Sequence, residues 1–219
     1  SQSAYRPFHS TETALLKVTT DVLMSLDEGN VSILTLLDLS AAFDTIDHTT
    51  LLSRLSKLYG VSGSALAWFE SYLRDRTQTV LVDGQTSDAA VLSFGVPQGS
   101  VLGPILFILY TKPLSSLIQS HSVSNQSFAD DTQLYNSTSP QHALSTLDTL
   151  ESCISDVKSW MTENKLKLND DKTEALLLKK RTANKPPCLP DSVLVGNSHI
   201  PFSTSARNLG FFIASDMTL

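Results

Sequence analysis

A short apolar segment that ends on a carboxylate constrains the fold of this chain more than any other feature. Residues 31–37, Val-Ser-Ile-Leu-Thr-Leu-Leu, are rich in β-branched and aliphatic side chains and stop at Asp38. A run of this length and composition predicts a strand that is buried on both faces. Such a strand lies inside a covered sheet and carries the Asp38 carboxylate to one end of it.

Two further aspartates stand where a second pair of strands meets. Residues 123–135 are predicted to form two short strands joined at Asp130 and Asp131. We therefore expect three carboxylates from distant parts of the chain to converge at one edge of the sheet. Carboxylate oxygens are ligands that Mg²⁺ prefers, and clustering acids without a cation costs Coulomb repulsion, so the pattern favours a magnesium site. Taken alone, adjacent aspartates are also common in solvated turns, which leaves that alternative open.

Helices are predicted around these strands. Apolar side chains recur at helical spacing over residues 11–26, 49–59, 64–74, 101–117 and 141–161, and further strands are predicted over 78–82, 89–92 and 175–178. The Asp83–Gly84 turn is expected to pair the first two of those strands. Ser100 and Asp47 are suited to cap helices, and Trp68 and Trp160 are expected in the core. The order of elements predicts an α+β fold with an antiparallel sheet backed by helices.

The composition is that of a globular chain. Of 219 residues, 41% are hydrophobic and 17% charged, and no apolar run approaches the roughly 18 residues of a membrane span. Cys153 and Cys188 lack the spacing of a zinc site and are expected to be free thiols. The first residues lack the features of a secretory signal, so we expect an intracellular protein of the nucleus or cytoplasm. The net charge of −6 argues against binding nucleic acid through bulk charge.

Six motifs in a fixed order point to a family. They are residues 5–11 (YRPFHST), 38–48 (DLSAAFDTIDH), 95–107 (GVPQGSVLGPILF), 128–131 (FADD), 168–173 (LNDDKT) and 208–211 (NLGF). With them the chain resembles, over nearly its whole length, the reverse transcriptases of non-LTR (LINE-type) retrotransposons. The resemblance implies a single reverse transcriptase domain over residues 1–219, an α+β polymerase palm with partial fingers and without a thumb. Residues 1–30 and about 48–94 would be fingers-like, 31–47 and 95–181 palm, and 182–219 a linker and a primer-grip-like hairpin.

The resemblance also assigns roles to the acids. Asp38 and Asp130 match the carboxylates that hold two Mg²⁺ ions, with Mn²⁺ as an alternative, and Asp131 matches the second acid of the same hairpin. Asp131 is thus the third metal-site residue, with a less direct contribution. Lys172 matches a lysine that is a candidate general acid for the departing pyrophosphate, against the alternative of a solvated side chain.

Other positions match the substrate-binding parts of the family. They are the backbone carbonyl of Leu39, Phe43 as a steric gate against a ribose 2′-OH, Gln98 and Gly99 in the nucleotide and template pocket, Arg6 as a contact to triphosphate or template, and Leu209 and Gly210 as a primer grip. Gly95, Gly99 and Gly103 are expected to let the backbone approach a ligand closely. From the residues alone, Phe43 also fits a core position and Arg6 a surface position.

The implied function is RNA-directed DNA polymerisation. A primer 3′-OH would attack the α-phosphate of a dNTP paired to an RNA template. The expected partners are the RNA template, a DNA primer and dNTP, with no membrane, and the endonuclease and thumb of a parent polyprotein are expected outside this chain. The alternative is a catalytically inactive retrotransposon remnant or a domesticated nucleic-acid-binding module. A nucleotide cyclase or a metal-dependent nuclease would need a different loop in place of residues 95–103.

Overall fold

The computed structural model describes residues 2–217, which divide into two compact units. One, the sheet unit, comprises residues up to Ser40, Pro113–Thr162 and residues from Lys167 onward; the other, the loop unit, comprises Ala41–Lys112 and Glu163–Leu166. The helices are α1 (Thr11–Asp27), α2 (His48–Tyr59), α3 (Gly63–Leu73), α4 (Leu102–Ser120) and α5 (Ala143–Glu163), with 3-10 turns over Pro140–His142 and Asp170–Lys172. The strands are β1 (Val31–Leu37), β2 (Leu39–Ser40), β3 (Thr77–Gln78), β4 (Leu81–Val82), β5 (Gln85–Thr86), β6 (Ala90–Val91), β7 (Ser124–Phe128), β8 (Asp131–Thr138), β9 (Lys167–Leu168), β10 (Glu174–Leu178), β11 (Ser192–Val195), β12 (Ser198–Pro201), β13 (Ser205–Asn208) and β14 (Phe211–Ala214).

A four-stranded antiparallel sheet organises the sheet unit. Its strand order is β10-β1-β8-β7, so the apolar segment of residues 31–37, which forms β1, is an interior strand. Ile33 and Leu34 are fully buried, as the composition of the segment predicts. The α+β prediction is confirmed.

Helix α1 packs on this sheet because its apolar side chains form one stripe. Ser10 caps it through a capping box with Thr13, in which each side chain bonds the other residue's backbone N–H. The buried side chains of α1 join a core cluster with strands β1, β8, β10, β13 and β14: Leu15, Val18, Val22, Leu26, Leu34, Tyr135, Leu176, Leu178, Ala206 and Ile213. The strands after residue 190, which the sequence did not predict in detail, thereby become part of the core.

In the loop unit, the first turns of helices α2 and α4 are each capped by a polar side chain. The Asp47 carboxylate accepts a hydrogen bond from Thr50 N at 2.7 Å, and Ser100 Oγ accepts one from Gly103 N at 2.9 Å. Both predicted caps are confirmed. The chain leaves α2 at Gly60, whose φ of 69° is the left-handed conformation that glycine tolerates best.

The predicted hairpin exists with a different register. Asp83 and Gly84 have φ values of 48° and 78° and form a two-residue turn that pairs β4 with β5. Strand β3 pairs with β6, one residue out of step with the inner pair. The expected pairing of 78–82 with 89–92 is thus confirmed at Gln78 and Ala90, whereas Leu81 and Val82 pair with Thr86 and Gln85, the residues next to the tight turn.

Trp68 does not lie in the core. It is 51% exposed and stacks on Tyr72, with ring centroids 5.3 Å apart and an angle of 13° between the rings. Only Leu73 of α3 is buried, so this helix packs against the rest of the loop unit mainly through its last turn. Trp160 is half-buried. The two cysteines are free thiols, as expected.

No helix among the described residues is both long and apolar enough to cross a membrane.

Candidate active site

The three predicted carboxylates meet at one end of the four-stranded sheet. Asp38 directly follows β1, whose last residue, Leu37, lies opposite Thr132 of β8. Asp131 begins β8 and pairs with Phe128, so Ala129 and Asp130 form the two-residue turn between β7 and β8. Continuing the register of β1 and β8 by one residue places Asp38 opposite Asp131.

The negative charges of these side chains affect one another. Burial, and then the charges of Asp130 and Asp38, raise the pKa of Asp131 to about 6. Burial likewise raises the pKa of Asp130, with a further contribution from Asp38, although a backbone hydrogen bond opposes the shift. Asp131 still has an exposed surface at the mouth of the site, so solvent moderates this repulsion. A carboxylate cluster of this kind lowers stability and is typical of a functional site.

One oxygen of Asp38 lacks a hydrogen bond. Asp38 Oδ2 is buried, and its nearest cationic group, Lys172 Nζ, lies 3.9 Å away, beyond hydrogen-bond length. A buried carboxylate oxygen without a partner is costly. Within residues 2–217 no group of three or more His, Cys, Asp or Glu side chains is arranged so that it could hold a metal ion by itself. The orphaned oxygen and the all-carboxylate donor set nevertheless fit a hard divalent cation.

A short strand pair fixes Lys172 relative to Asp38. Asn169 N donates to Asp38 O at 2.9 Å, immediately beside the pairing of β2 with β9. Hydrogen-bonded and non-hydrogen-bonded pairs alternate along an antiparallel ladder, so the Leu39 carbonyl points away from β9. That carbonyl is therefore not bonded to β9, and its contact with a substrate stays a prediction. Lys172 ends the 3-10 turn that follows, and its side chain is 70% exposed.

The cleft at this site includes charged residues that the sequence argument missed. Its lining consists of Leu36, Leu37, Asp38, Asp131, Asp171, Lys172, Glu174 and Arg207. Arg207 stands between the buried residues Ala206 and Asn208 on β13, so its side chain lies on the exposed face of that strand. Burial alternates along Ser-Ala-Arg-Asn, but only Ala206 of the four residues is apolar. The sequence therefore carried no clear signal for this strand or for the surface that it reaches.

The predicted primer-grip residues form the turn of a hairpin. Leu209 and Gly210 connect β13 to β14 and have φ values of 47° and 91°. Two successive positive φ values are those of a type I′ turn. Leu209 packs against the core cluster of the sheet unit. The hairpin is present, and its contact with a primer stays a prediction.

Gln98 and Gly99 lie in the loop unit, on an exposed loop. The Gln98 side-chain amide donates to both carboxylate oxygens of Asp44, at 2.8 and 2.9 Å. A neighbouring carbonyl, Gly95 O, accepts from His48 Nε2 at 2.7 Å and from Arg76 Nη1 at 2.8 Å. The loop is thus held by side chains from three other segments of its unit.

Two of the three glycines of this loop are required by contacts within the chain. A Cβ on Gly95 would lie 2.9 Å from Asp44 Cα, and one on Gly103 would lie 2.8 Å from Pro97 O. A Cβ on Gly99 would meet nothing within 4 Å, although its φ of 75° favours glycine. Gly95 and Gly103 therefore make room for backbone of the same chain, and the expected close approach of this loop to a ligand stays a prediction.

Phe43 and Arg6 differ in how firmly they are held. The Phe43 ring is half-buried and its centroid lies 4.8 Å from that of Phe107, while its carbonyl accepts from Val96 N at 2.9 Å. Arg6 is exposed and donates to Gln2 O at 3.2 Å. Phe43 is a packed side chain with an accessible part, and Arg6 lies on the surface.

Known proteins resemble the chain in sequence and in fold. It is 30% identical over 178 residues to the probable RNA-directed DNA polymerase from transposon BS of Drosophila melanogaster, an alignment covering 78% of this chain and 19% of that protein. It is 26% identical over 190 residues to the RNA-directed DNA polymerase from mobile element jockey of the same organism, covering 84% of this chain and 20% of the relative. The chain thus spans about a fifth of these relatives.

The solved structures that it matches include apo telomerase from Candida tropicalis, truncated from its C-terminal domain. The TM-score is 0.65 at 16% identity, over 99% of this chain and 40% of the other. Telomerase from Candida albicans, solved with a fragment of telomeric RNA, gives 0.60 at 14% identity over 96% of this chain and 36% of the other. At such identities the likeness concerns the fold. The family model "Reverse transcriptase (RNA-dependent DNA polymerase)" matches residues 1–213, and the chain belongs to that family, with non-LTR retrotransposon polymerases among its homologues.

Proposed function

We propose that this chain forms the catalytic core of an RNA-directed DNA polymerase that transfers a nucleotide from dNTP to a primer 3′-OH. The observation that carries the proposal is the convergence of Asp38, Asp130 and Asp131, with Lys172 beside them. Its similarity to RNA-directed DNA polymerases of transposon BS and mobile element jockey supports the proposal.

The carboxylates are suited to hold two divalent cations. Asp38 and Asp130 would be the principal ligands of Mg²⁺, with Mn²⁺ as a substitute, and Asp131 would contribute less directly. Bound there, such ions stabilise the attacking and leaving oxygens of an in-line phosphoryl displacement. Burial and mutual repulsion raise the pKa values of Asp130 and Asp131, so a cation relieves a cost that the folded chain already bears.

Two cationic side chains at the cleft would act on the triphosphate. The Lys172 ammonium is close to Asp38 at its base but largely exposed, so it can reach an incoming phosphate and donate a proton to the departing pyrophosphate. Arg207 lines the same cleft and offers a planar fork suited to phosphate oxygens.

The loop unit would supply nucleotide selection. Asp44 engages the amide nitrogen of Gln98, which fixes the plane of that side chain and leaves its oxygen as an acceptor. Phe43 is braced by Phe107 and would act as the steric gate that excludes a ribose 2′-OH. Base pairing would select the sequence, so the protein needs contacts to shape and backbone, including those proposed for Arg6 and for Leu209 and Gly210.

Primer extension on poly(rA)/oligo(dT) with Mg²⁺ tests the proposal. We expect the wild-type chain to extend the primer and Asp130→Asn to lose at least about a hundredfold in rate, because loss of even one preorganised hydrogen-bond donor to a transition state costs about 10²–10³. Asp148→Asn, on the exposed side of α5, is the matched control and should retain activity. Equally low product from wild type and Asp130→Asn would refute the proposal. Binding of the hybrid without extension would then support the alternative of a nucleic-acid-binding module.

A further inference from the structure

We propose that Gln2 is a positioning residue for the turn that carries Asp130. Its side-chain amide holds Ala129, the residue before Asp130, in an unfavourable backbone conformation. The inference rests on the proposed function and adds to it a residue outside the six motifs.

The turn between β7 and β8 has a conformation that suits glycine. Phe128 and Asp131 pair, leaving Ala129 and Asp130 as the two central residues. Ala129 has a φ of 56°, whereas Asp130 has a negative φ. This is the pattern of a type II′ turn, in which glycine is favoured at the first central position. An alanine there is strained, so another contact must hold it.

The side chain of Gln2 supplies that contact. Its Oε1 accepts from Ala129 N at 3.0 Å, and its Nε2 donates to Ala129 O at 3.0 Å. One amide thus satisfies both polar backbone groups of the strained residue. Oε1 also accepts from Ala4 N at 2.9 Å, which fixes the plane of the Gln2 amide independently of the turn.

The backbone around Gln2 is anchored to the sheet. Gln2 forms a parallel bridge with Ser127, and Ser3 N donates to Ser127 O at 2.9 Å. The Gln126 side chain donates to Ser3 Oγ, and that contact is buried. Strand β7 is the edge of the four-stranded sheet, so residues 2–4 cover its open side beside the turn. The amide therefore transmits the rigidity of the sheet to Ala129.

Loss of this amide would remove none of the three carboxylates, but the turn that carries Asp130 would be held less firmly. A positional error of about 1 Å at a reacting centre can cost up to 10²-fold in rate. We therefore expect the defect in the turnover rate, with little change in the KM for dNTP, because the residues proposed to bind the nucleotide are unchanged.

The test combines an isosteric substitution with a rescue. Gln2→Met keeps the length of the side chain and removes both hydrogen bonds to Ala129. In primer extension we expect about a tenfold loss of kcat for Gln2→Met. Adding Ala129→Gly should restore most of that loss, because glycine adopts the positive φ unaided. Gln141→Met, at an exposed position, is the matched control and should behave as wild type.

Amide hydrogen exchange at Ala129 gives a readout that does not depend on activity. The Ala129 N–H is bonded to Gln2 Oε1, so its exchange should accelerate at least about tenfold in Gln2→Met and not in Gln141→Met. Unchanged kcat in Gln2→Met, or a loss that Ala129→Gly does not rescue, overturns the inference. If wild type extends no primer, the proposed function fails, and the exchange rate alone then tests the contact between Gln2 and Ala129. Unchanged exchange of the Ala129 N–H in Gln2→Met would overturn that hydrogen bond as well.

Discussion

Alanine substitutions at Gly95, Gly99 and Gly103, compared with one another, separate two reasons for keeping glycine in the segment of residues 95–103. At Gly95 both apply: φ is 82°, and a Cβ would lie 2.9 Å from both Cα and O of Asp44. A positive φ costs an alanine about 1–2 kcal/mol, and forcing a methyl group against fixed backbone costs about 1–3 kcal/mol. The Gly95→Ala variant should therefore lose about 2–5 kcal/mol of folding free energy.

Two neighbouring glycines each isolate one of these costs. Gly99→Ala meets nothing within 4 Å and carries only the cost of its φ of 75°. Gly103→Ala adopts ordinary helical φ and carries only the clash with Pro97 O at 2.8 Å. We expect Gly99→Ala to lose about 1–2 kcal/mol and Gly95→Ala to lose clearly more.

Urea unfolding followed by circular dichroism measures these differences. The unfolding free energy of small proteins falls by about 1–3 kcal/mol for each 1 M of urea. The stability lost in Gly95→Ala should therefore lower the urea concentration at the unfolding midpoint by about 1 M or more. The slopes of the variants should match that of wild type, so that midpoint shifts report stability. A Gly95→Ala midpoint equal to that of Gly99→Ala would refute the argument that contact with Asp44 requires a glycine.

Three further predictions concern single side chains. Burial and neighbouring charges raise the pKa of Asp131 from 3.8 to about 6, so ionisation of this group destabilises the folded chain as pH rises through that interval. In EDTA, the melting temperature of Asp131→Asn should therefore exceed that of wild type at pH 7–8 and equal it below about pH 4. Equal melting temperatures at about pH 8 would contradict this. Phe43→Val should increase the use of rNTP relative to dNTP by at least about tenfold in primer extension, whereas unchanged discrimination would assign Phe43 to packing against Phe107 alone. Tyr135 OH donates to Asp21 Oδ2 at 2.5 Å, so Tyr135→Phe should cost about 1.5–3 kcal/mol in urea unfolding, and an unchanged midpoint would exclude a stabilising bond.

Local pattern was enough to predict the elements that hold the carboxylates. The composition of residues 31–37 requires an interior strand, and the position of Asp38 at its end follows directly. The register of β1 against β8 then brings Asp131 opposite, which the sequence predicts only through the assumption of one sheet. Arg207 escaped prediction because β13 reaches the cleft through contacts far apart in sequence.

Residues whose roles depend on what they pack against were predicted less well. Trp68 is a large apolar side chain on a helix, which predicted a core position. Only Leu73 of α3 is buried, however, so Trp68 is exposed in spite of its apolar character. Gln2 gave no signal, since a polar residue near a chain end has no local pattern that shows a partner 127 positions away. The sequence indicated that the backbone at Gly95 is closely approached, but in the structure the group that approaches it is the backbone of Asp44.

Net charge alone is a poor guide to the proposed partner of this chain because it adds together charges with different environments. Of the 22 acidic residues, Asp38, Asp130 and Asp131 stand at one end of a sheet. Two divalent cations there would bring four positive charges to a chain whose net charge is −6. The remaining acids still repel phosphate, so we expect weak binding of template that falls as salt concentration rises. Acidity in this chain therefore limits the affinity we expect for nucleic acid and says little against the proposed nucleotide transfer.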